Sequence, residues 1–187
     1  MIPEVRQPVF YYDLGCLECY LAAERIMSTL PVVPEWEPVH GRALGVIEPE
    51  PDGVGYEQIV ADRGLQPLRL PEPWPPDTHT AMLTAAYAKQ IGRAVAFSLA
   101  AFRQAFAGGR DLGDRDTVLI AAAACEMHPT AVLRALDMGS VAAALERACA
   151  RGREAGIKML PAVQIGSEVY EGEAGIDDAA EALGAAR

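Results

Sequence analysis

Hydrophobic residues at the start of the chain follow first a strand pattern and then a helix pattern. Residues 8–13 are rich in β-branched and aromatic side chains, which predicts a first strand. Residues 16–30 then carry apolar side chains three or four positions apart, as on one face of a helix. Prolines at 31 and 34 end this helix, and residues 32–39 form a second predicted strand whose prolines suit a sheet edge. A strand, a helix and a strand in this order predict a parallel pair.

The middle of the chain carries no strand signal. A Gly/Pro/Glu-rich connection over residues 48–55 leads to a short predicted helix at 56–63, and five prolines between positions 67 and 76 mark an irregular stretch. Further helices are predicted from apolar spacing and helix-forming residues at 81–107 (with a break at Gly92), 116–127, 129–136 and 141–153. We therefore expect an inserted helical domain over residues 56–155.

Strand signals return near the end of the chain. Residues 161–165 and 168–171 are predicted strands joined by a tight turn at 166–167. Residues 176–186 predict a last helix with two aspartates in its first turn. Residues 1–55 and 156–187 thus supply the β-α-β and β-β-α halves of one α/β domain, with the helical domain inserted between them.

Charge and composition narrow the class of protein. The formal charge of −10 disfavours nucleic acid or an anionic membrane surface as a partner, because both require clustered Lys and Arg. No apolar run has the length of a membrane span, and residues 1–6 lack the apolar core of a signal peptide. We therefore expect a cytoplasmic protein, in which two nearby cysteines are more often catalytic or metal-binding than structural.

The strongest candidates for chemistry are Cys16 and Cys19, at the seam between the first strand and the first helix. A helix start offers unpaired N–H groups that stabilise a thiolate, and a thiolate is the species that attacks a disulfide. Two alternatives stay open at this point. The pair could be half of a zinc site whose other half is Cys125 and His128, or it could be two buried core thiols.

The residues around this pair resemble a known family. Residues 10–22, with the sequence FYYDLGCLECYLA, and the final hairpin that follows Leu160 and Pro161 are together similar to the DsbA family of thiol–disulfide oxidoreductases. The first motif is especially similar to the branch that contains 2-hydroxychromene-2-carboxylate isomerases and kappa-class glutathione transferases. The resemblance implies a thioredoxin fold with a helical insertion, and a dithiol–disulfide couple of Cys16 and Cys19 that reacts through a mixed disulfide.

The resemblance also implies roles for individual residues. Cys16 is expected to be the solvent-facing nucleophile and Cys19 the resolving thiol. The Leu160–Pro161 peptide bond is expected to be cis and to face the cysteines, with the Leu160 backbone contacting an extended substrate. The substrate would be a thiol or disulfide, in a protein or a small molecule. No metal and no organic cofactor is implied, and glutathione is a candidate co-substrate.

The chain departs from the family pattern at two places. Leu17 and Glu18 stand where strong oxidants carry proline and histidine. A Glu18 carboxylate near Cys16 would raise the pKa of the thiol and make the disulfide a milder oxidant, unless Glu18 is a solvated side chain of the first helical turn. Glutathione-using relatives carry a serine in place of Cys16 and an acid near Ala174. Both departures weaken the prediction of a glutathione-dependent isomerase or transferase, which stays the alternative function.

Two aromatic residues are further candidates for the substrate site. Tyr12 ends the first predicted strand, where it is expected either to pack in the core or to form a wall of the substrate cleft. Trp74 lies among prolines, where it is expected either to clamp the irregular stretch or to line a groove.

Overall fold

Four short strands form one mixed sheet within residues 7–46, 51 and 54–185, which the computed structural model describes. The strands are β1 (Val9–Tyr12), β2 (Glu35–Pro38), β3 (Ala162–Ile165) and β4 (Glu168–Glu171). Their order across the sheet is β2-β1-β3-β4, with β1 parallel to β2 and antiparallel to β3. The predicted parallel pair, the edge position of the second strand and the final hairpin are therefore confirmed.

Helices connect and cover this sheet. Those in the described ranges are α1 (Leu17–Ala23), α2 (Ile26–Thr29), α3 (Gly41–Leu44), α4 (Val54–Asp62), α5 (His79–Gln90), α6 (Ala94–Phe106), α7 (Arg115–Ala123), α8 (Pro129–Leu136), α9 (Gly139–Glu154) and α10 (Gly175–Ala185). The predicted order of a β-α-β half, a helical segment and a β-β-α half is confirmed. The break at Gly92 is also found, between α5 and α6.

The prediction of one helix over residues 16–30 is wrong, because the segment forms α1 and α2 with a break at Glu24 and Arg25. Arg25 has a φ of −123°, outside the helical range. Its carbonyl oxygen accepts hydrogen bonds from the hydroxyls of Ser28 and Thr29. Such side-chain bonds to the backbone compete with a continuous helix, which apolar spacing alone does not reveal.

An aromatic cluster joins the sheet to the inserted helices. Tyr12 on β1 lies 5.9 Å from Phe102 on α6, measured between ring centroids, and Tyr20 on α1 lies 5.5 Å from Phe106. All four rings are fully or almost fully buried. Because large buried rings contribute most to core stability, this cluster fixes the end of β1 and the start of α1 against α6. The two cysteines are carried by that junction.

Some sequence predictions fall outside the described residues. These are residues 1–6, residues 48–50 and 52–53 of the predicted connection, and residue 186 of the predicted last helix. The division into a domain of residues 1–55 and 156–187 and an inserted domain of 56–155 stays a prediction. Among the helices of the described ranges, none combines the length and the apolar character needed to cross a lipid bilayer.

Candidate active site

Cys16 and Cys19 are brought together at the start of α1. The chain turns after β1, with the Cys16 N–H donating to the Asp13 carbonyl over 3.2 Å, and Cys16 then becomes the N-cap of the helix. At this position its side chain accepts a hydrogen bond from the Cys19 N–H, with 3.2 Å between nitrogen and sulfur. The Cys16 sulfur thus serves one of the orphan donors of the helix start, as an N-cap oxygen does in other helices.

The expectation that Cys16 faces solvent is wrong. Cys16 is 2% exposed, and Cys19 is fully buried. Cys16 instead lines a cavity of about 160 Å³, whose opposite walls include Pro75, Pro76 and Leu160. The burial arises from segments distant in sequence that fold over the start of α1. A reacting molecule must therefore enter this cavity to reach the sulfur.

Leu160 and Pro161 lie against the nucleophile, at the entry to β3. The peptide bond between them is cis. The Leu160 carbonyl oxygen accepts a hydrogen bond from the Cys16 thiol, with 3.7 Å between sulfur and oxygen. The Pro161 carbonyl accepts from the Gly172 N–H over 2.8 Å, which ties this segment to the end of β4. The structure therefore brings the two predicted residues to the cysteines, while their contact with substrate stays a prediction.

Asp13 is the polar centre of the same cavity, and it is only 9% exposed. One carboxylate oxygen accepts hydrogen bonds from the Gly15 N–H and the Thr78 hydroxyl, both over 2.9 Å. The other oxygen accepts from the Gly41 N–H over 2.7 Å. Because these donors belong to three segments, one buried carboxylate connects the end of β1 to the starts of α3 and α5.

The structure does not place Tyr12 in a substrate cleft. Tyr12 is fully buried, and its hydroxyl shares a hydrogen bond of 2.6 Å with Ser98 on α6. Burial raises the pKa of this hydroxyl, although the bond to Ser98 acts in the opposite direction. The prediction of a cleft wall is wrong because the Tyr12 side chain faces the core between β1 and α6. The alternative prediction of core packing is confirmed.

Trp74 also has a packing role. Its ring meets the ring of Phe106 edge-on, with 6.5 Å between centroids. The next two residues, Pro75 and Pro76, line the cavity that contains Cys16, and Trp74 is not part of that lining. The prediction that Trp74 clamps the proline-rich stretch therefore fits the structure, and a role in a substrate groove stays a prediction.

Glu18 lies in a different cavity, of about 560 Å³, on which Cys16 does not border. Its two carboxylate oxygens accept hydrogen bonds from the Tyr56 hydroxyl over 3.1 Å and from the Glu173 N–H over 3.3 Å. Glu18 is thus a half-buried side chain in the first turn of α1, and neighbours on α4 and beyond β4 hold its carboxylate. Its influence on Cys16 stays a prediction.

Glu18→Gln is expected to lower the pKa of the Cys16 thiol, because removal of a negative charge two residues away favours the thiolate. The measurement is a pH titration of the ultraviolet absorbance of the thiolate. Glu146→Gln, at an exposed position of α9, is the matched control and should leave the curve unchanged. An unchanged or higher pKa in Glu18→Gln would contradict the prediction.

Ion pairs hold the loop after β4 against α1 and α2. Arg25 contacts the Glu173 carboxylate and lies 2.8 Å from the Asp177 carboxylate, and Arg63 lies 3.0 Å from Glu173. Burial raises the pKa of Glu173, but hydrogen bonds from Arg63 and Arg25 outweigh that effect and bring it below its ordinary value. The Arg25 hydrogen bond likewise lowers the pKa of Asp177.

These lowered pKa values predict a loss of stability in acid. A carboxylate with a lowered pKa in the folded state stabilises that state above its unfolded pKa, and the contribution disappears as the pH falls through the folded pKa. Between about pH 6 and pH 3, the wild type should lose about 1 kcal/mol more unfolding free energy than Arg25→Gln. Urea titrations at several pH values measure this. Parallel pH profiles for the two proteins would contradict it.

The structure does not assemble the alternative zinc site. Within the ranges 7–46, 51 and 54–185, no group of three or more His, Cys, Asp or Glu residues is placed to hold a metal ion. His128 instead caps α8, where its Nδ1 accepts from the Thr130 N–H over 3.2 Å. Cys125 and Cys149 are buried thiols, and burial raises the pKa of both.

One wall of the cavity that Cys16 lines was not expected from the sequence. This wall is the short helix α3 with its flanking residues, including His40 and Arg42. The His40 ring lies edge-on to the His79 ring, with 5.9 Å between centroids. The available signal was Gly45, which ends α3 with a φ of +76° that favours glycine. A helix of four residues is too short for apolar spacing to reveal it.

The model of the family described as DSBA-like thioredoxin domain matches residues 58–184. No curated protein matches the chain. A solved structure of 2-hydroxychromene-2-carboxylate isomerase has a TM-score of 0.80 at 14% identity, covering 95% of this chain and 94% of that one.

Two further solved structures carry the DsbA name. A probable DsbA oxidoreductase from Streptomyces coelicolor has a TM-score of 0.75 at 17% identity, covering 97% of this chain and 89% of that one. A DsbA disulfide interchange protein from Klebsiella pneumoniae has a TM-score of 0.59 at 14% identity, covering 98% and 87%. At these identities the likeness concerns the fold, and it confirms the predicted fold class.

Proposed function

Because this chain belongs to the family of DsbA-like thioredoxin domains, we propose that it is a thiol–disulfide oxidoreductase that works through Cys16 and Cys19. The observation that carries the proposal is the hydrogen bond from the Cys19 N–H to the Cys16 sulfur, 3.2 Å long, at the start of α1. This donor stabilises negative charge on the sulfur, and the cavity on which Cys16 borders gives a substrate sulfur a place to approach it.

The reaction would proceed in two exchanges. The Cys16 thiolate attacks one sulfur of a substrate disulfide, so that a mixed disulfide forms and the other substrate sulfur leaves as a thiolate that takes up a proton. The Cys19 thiolate then attacks the Cys16 sulfur, which forms the Cys16–Cys19 disulfide and releases the second substrate thiol. Two electrons pass from the protein to the substrate. The reverse sequence oxidises a dithiol substrate.

This mechanism takes its electrons from the two cysteines, so it requires no metal and no organic cofactor. The partners are thiols or disulfides of proteins or small molecules, and glutathione is the proposed co-substrate that restores the starting redox state. A cytoplasmic location belongs to the same proposal, because a reducing compartment keeps the couple in its dithiol form between turnovers.

A glutathione-dependent isomerase or transferase is the second candidate. Its support is the cavity of about 560 Å³ beside α1, which extends over Gly172 and Ala174 of the loop after β4. Its acidic lining, which includes Glu18 and Glu173, would repel the carboxylates of glutathione. This candidate requires activity that survives Cys19→Ala, whereas the oxidoreductase requires both thiols.

The reduction potential of the couple tests the proposed function. The protein is equilibrated in buffers that contain reduced and oxidised glutathione at a series of ratios. Its free thiols are then alkylated, and the number of alkylated thiols is measured by mass spectrometry. We expect two thiols to titrate together between about −270 and −120 mV, below the potential of a strong oxidant. Cys149→Ala, which removes a buried thiol outside the site, is the control and should titrate in the same way. A couple that persists in Cys16→Ser would contradict the proposal.

A further inference from the structure

We propose that the substrate of this site is a low-molecular-weight disulfide that carries a carboxylate a few bonds from its sulfur. This inference rests on the oxidoreductase function proposed above and deepens it. It is carried by the dimensions of the cavity on which Cys16 borders, and by the charges of the side chains that line that cavity.

The cavity is small for a binding site. Its volume of about 160 Å³ lies below the roughly 300–1,000 Å³ typical of sites for drug-sized ligands. Pro75, Pro76 and Leu160 line it together with Cys16, which is 2% exposed. A disulfide in a folded protein brings backbone on both sides of its sulfurs, and that backbone needs more room than a cavity of about 160 Å³ offers. A small disulfide with slender arms fits it.

In the described part of the chain, the ionisable side chains that line this cavity are Asp13, His40 and Arg42. Asp13 is buried, and its carboxylate oxygens are engaged by three donors. Arg42 is exposed, and among the described residues its guanidinium has no ion pair or side-chain hydrogen bond. Among the described residues that line the cavity, the charge that an incoming molecule meets is therefore that of Arg42. A carboxylate is its matching partner, since arginine binds carboxylates through two parallel hydrogen bonds.

Apart from Asp13, none of the acidic side chains in the described part of the chain lines this cavity. Glu18, Glu171 and Glu173 line the larger cavity, on which Cys16 does not border. The Glu18 and Glu173 carboxylates are already held by hydrogen bonds or ion pairs. The preference expected at Cys16 is thus opposite to the one that the overall charge of −10 would give. Because the two expected preferences are opposite, the rates of charged substrates distinguish the effect of the charge near Cys16 from that of the overall charge.

In the first exchange, the Cys16 sulfur bonds to one substrate sulfur and the substrate S–S bond breaks. The departing arm leaves as a thiolate and takes a proton from water. Cys19 then displaces the second arm as a thiol, so the disulfide is reduced by two electrons while the protein dithiol is oxidised. A dithiol reductant regenerates the protein, and a single turnover of reduced protein needs none.

The test compares three small disulfides of similar length: dithiodipropionate, which is anionic, hydroxyethyl disulfide, which is neutral, and cystamine, which is cationic. Pre-reduced protein is mixed with an excess of each, and thiol loss is followed by alkylation and mass spectrometry. Each rate is divided by the rate of the same disulfide with dithiothreitol. We expect the normalised rate of dithiodipropionate to exceed that of hydroxyethyl disulfide about fivefold, with cystamine the slowest.

Arg42→Gln should abolish this order, while Arg134→Gln, at an exposed site on α8, should preserve it. Equal normalised rates, or cystamine as the fastest substrate, would overturn the substrate inference and leave the oxidoreductase function standing. A folded protein disulfide that reacts faster than hydroxyethyl disulfide would overturn it as well. Thiol loss that is absent with all three compounds, or unchanged in Cys16→Ser, would instead overturn the proposed function.

Discussion

Asp13→Ala is expected to lower the free energy of unfolding by about 4 kcal/mol. The substitution removes three hydrogen bonds to a charged acceptor. It also leaves the N–H groups of Gly15 and Gly41 and the hydroxyl of Thr78 without that partner in a buried setting, where each unsatisfied donor costs about 1–3 kcal/mol. Urea denaturation followed by circular dichroism measures the change.

Two control variants distinguish the effect of losing the hydrogen bonds on stability from the effects of losing the charge and the side-chain atoms. Asp13→Asn keeps the shape but turns one acceptor into an amide donor, which would face the N–H of Gly15 or Gly41. It should therefore lose about half as much stability. Asp137→Ala, at an exposed position after α8, should stay within about 0.5 kcal/mol of the wild type. An Asp13→Ala protein as stable as Asp137→Ala would contradict this account of the cavity.

The sheet and most helices could be predicted because their signals are local. Aromatic and β-branched residues mark β1, and the Gly166–Ser167 turn fixes the pairing of β3 with β4. The helical segment is marked by apolar spacing, and Gly92 interrupts it where α5 gives way to α6. These features depend on neighbours within a few residues, which a sequence displays directly.

The surroundings of Cys16 could not be predicted, because they depend on contacts between distant positions. The carboxylate of Asp13 meets the Gly41 N–H across 28 residues and the Thr78 hydroxyl across 65. The Cys16 thiol meets the Leu160 carbonyl across 144 residues. The motif predicted which two sulfurs lie together. It did not predict that proline and leucine side chains cover them.

The position of the Tyr12 side chain could not be predicted from the sequence either. An aromatic residue at the end of β1 fits either the core or a cleft, and nothing local distinguishes the two. The deciding contact is the hydrogen bond to Ser98, a residue 86 positions away on α6. Side chains of one strand point alternately to its two faces, and only the elements packed against each face decide which is core and which is cleft. The sequence of the strand does not contain that information.

Cys16→Ser and Cys19→Ala are expected to affect different steps of thiol–disulfide exchange. Cys16→Ser should slow thiol–disulfide exchange by about a thousandfold or more, because a serine hydroxyl stays protonated where a thiol ionises. Cys19→Ala should keep the first exchange and accumulate a mixed disulfide between Cys16 and the substrate, because the second thiol that resolves it is missing. Intact-protein mass spectrometry after mixing with hydroxyethyl disulfide measures both outcomes.

The asymmetry between these variants follows from where the Cys19 N–H points. It donates to the Cys16 sulfur, so Cys16 is the thiol that the backbone stabilises as an anion, while Cys19 is fully buried behind it. Cys19→Ala keeps that N–H, and the Cys16 thiolate should survive it. Cys149→Ala controls for the loss of a buried thiol elsewhere and should behave as wild type. If Cys16→Ser trapped the adduct on Cys19 instead, the backbone donor at Cys16 would not decide which sulfur attacks.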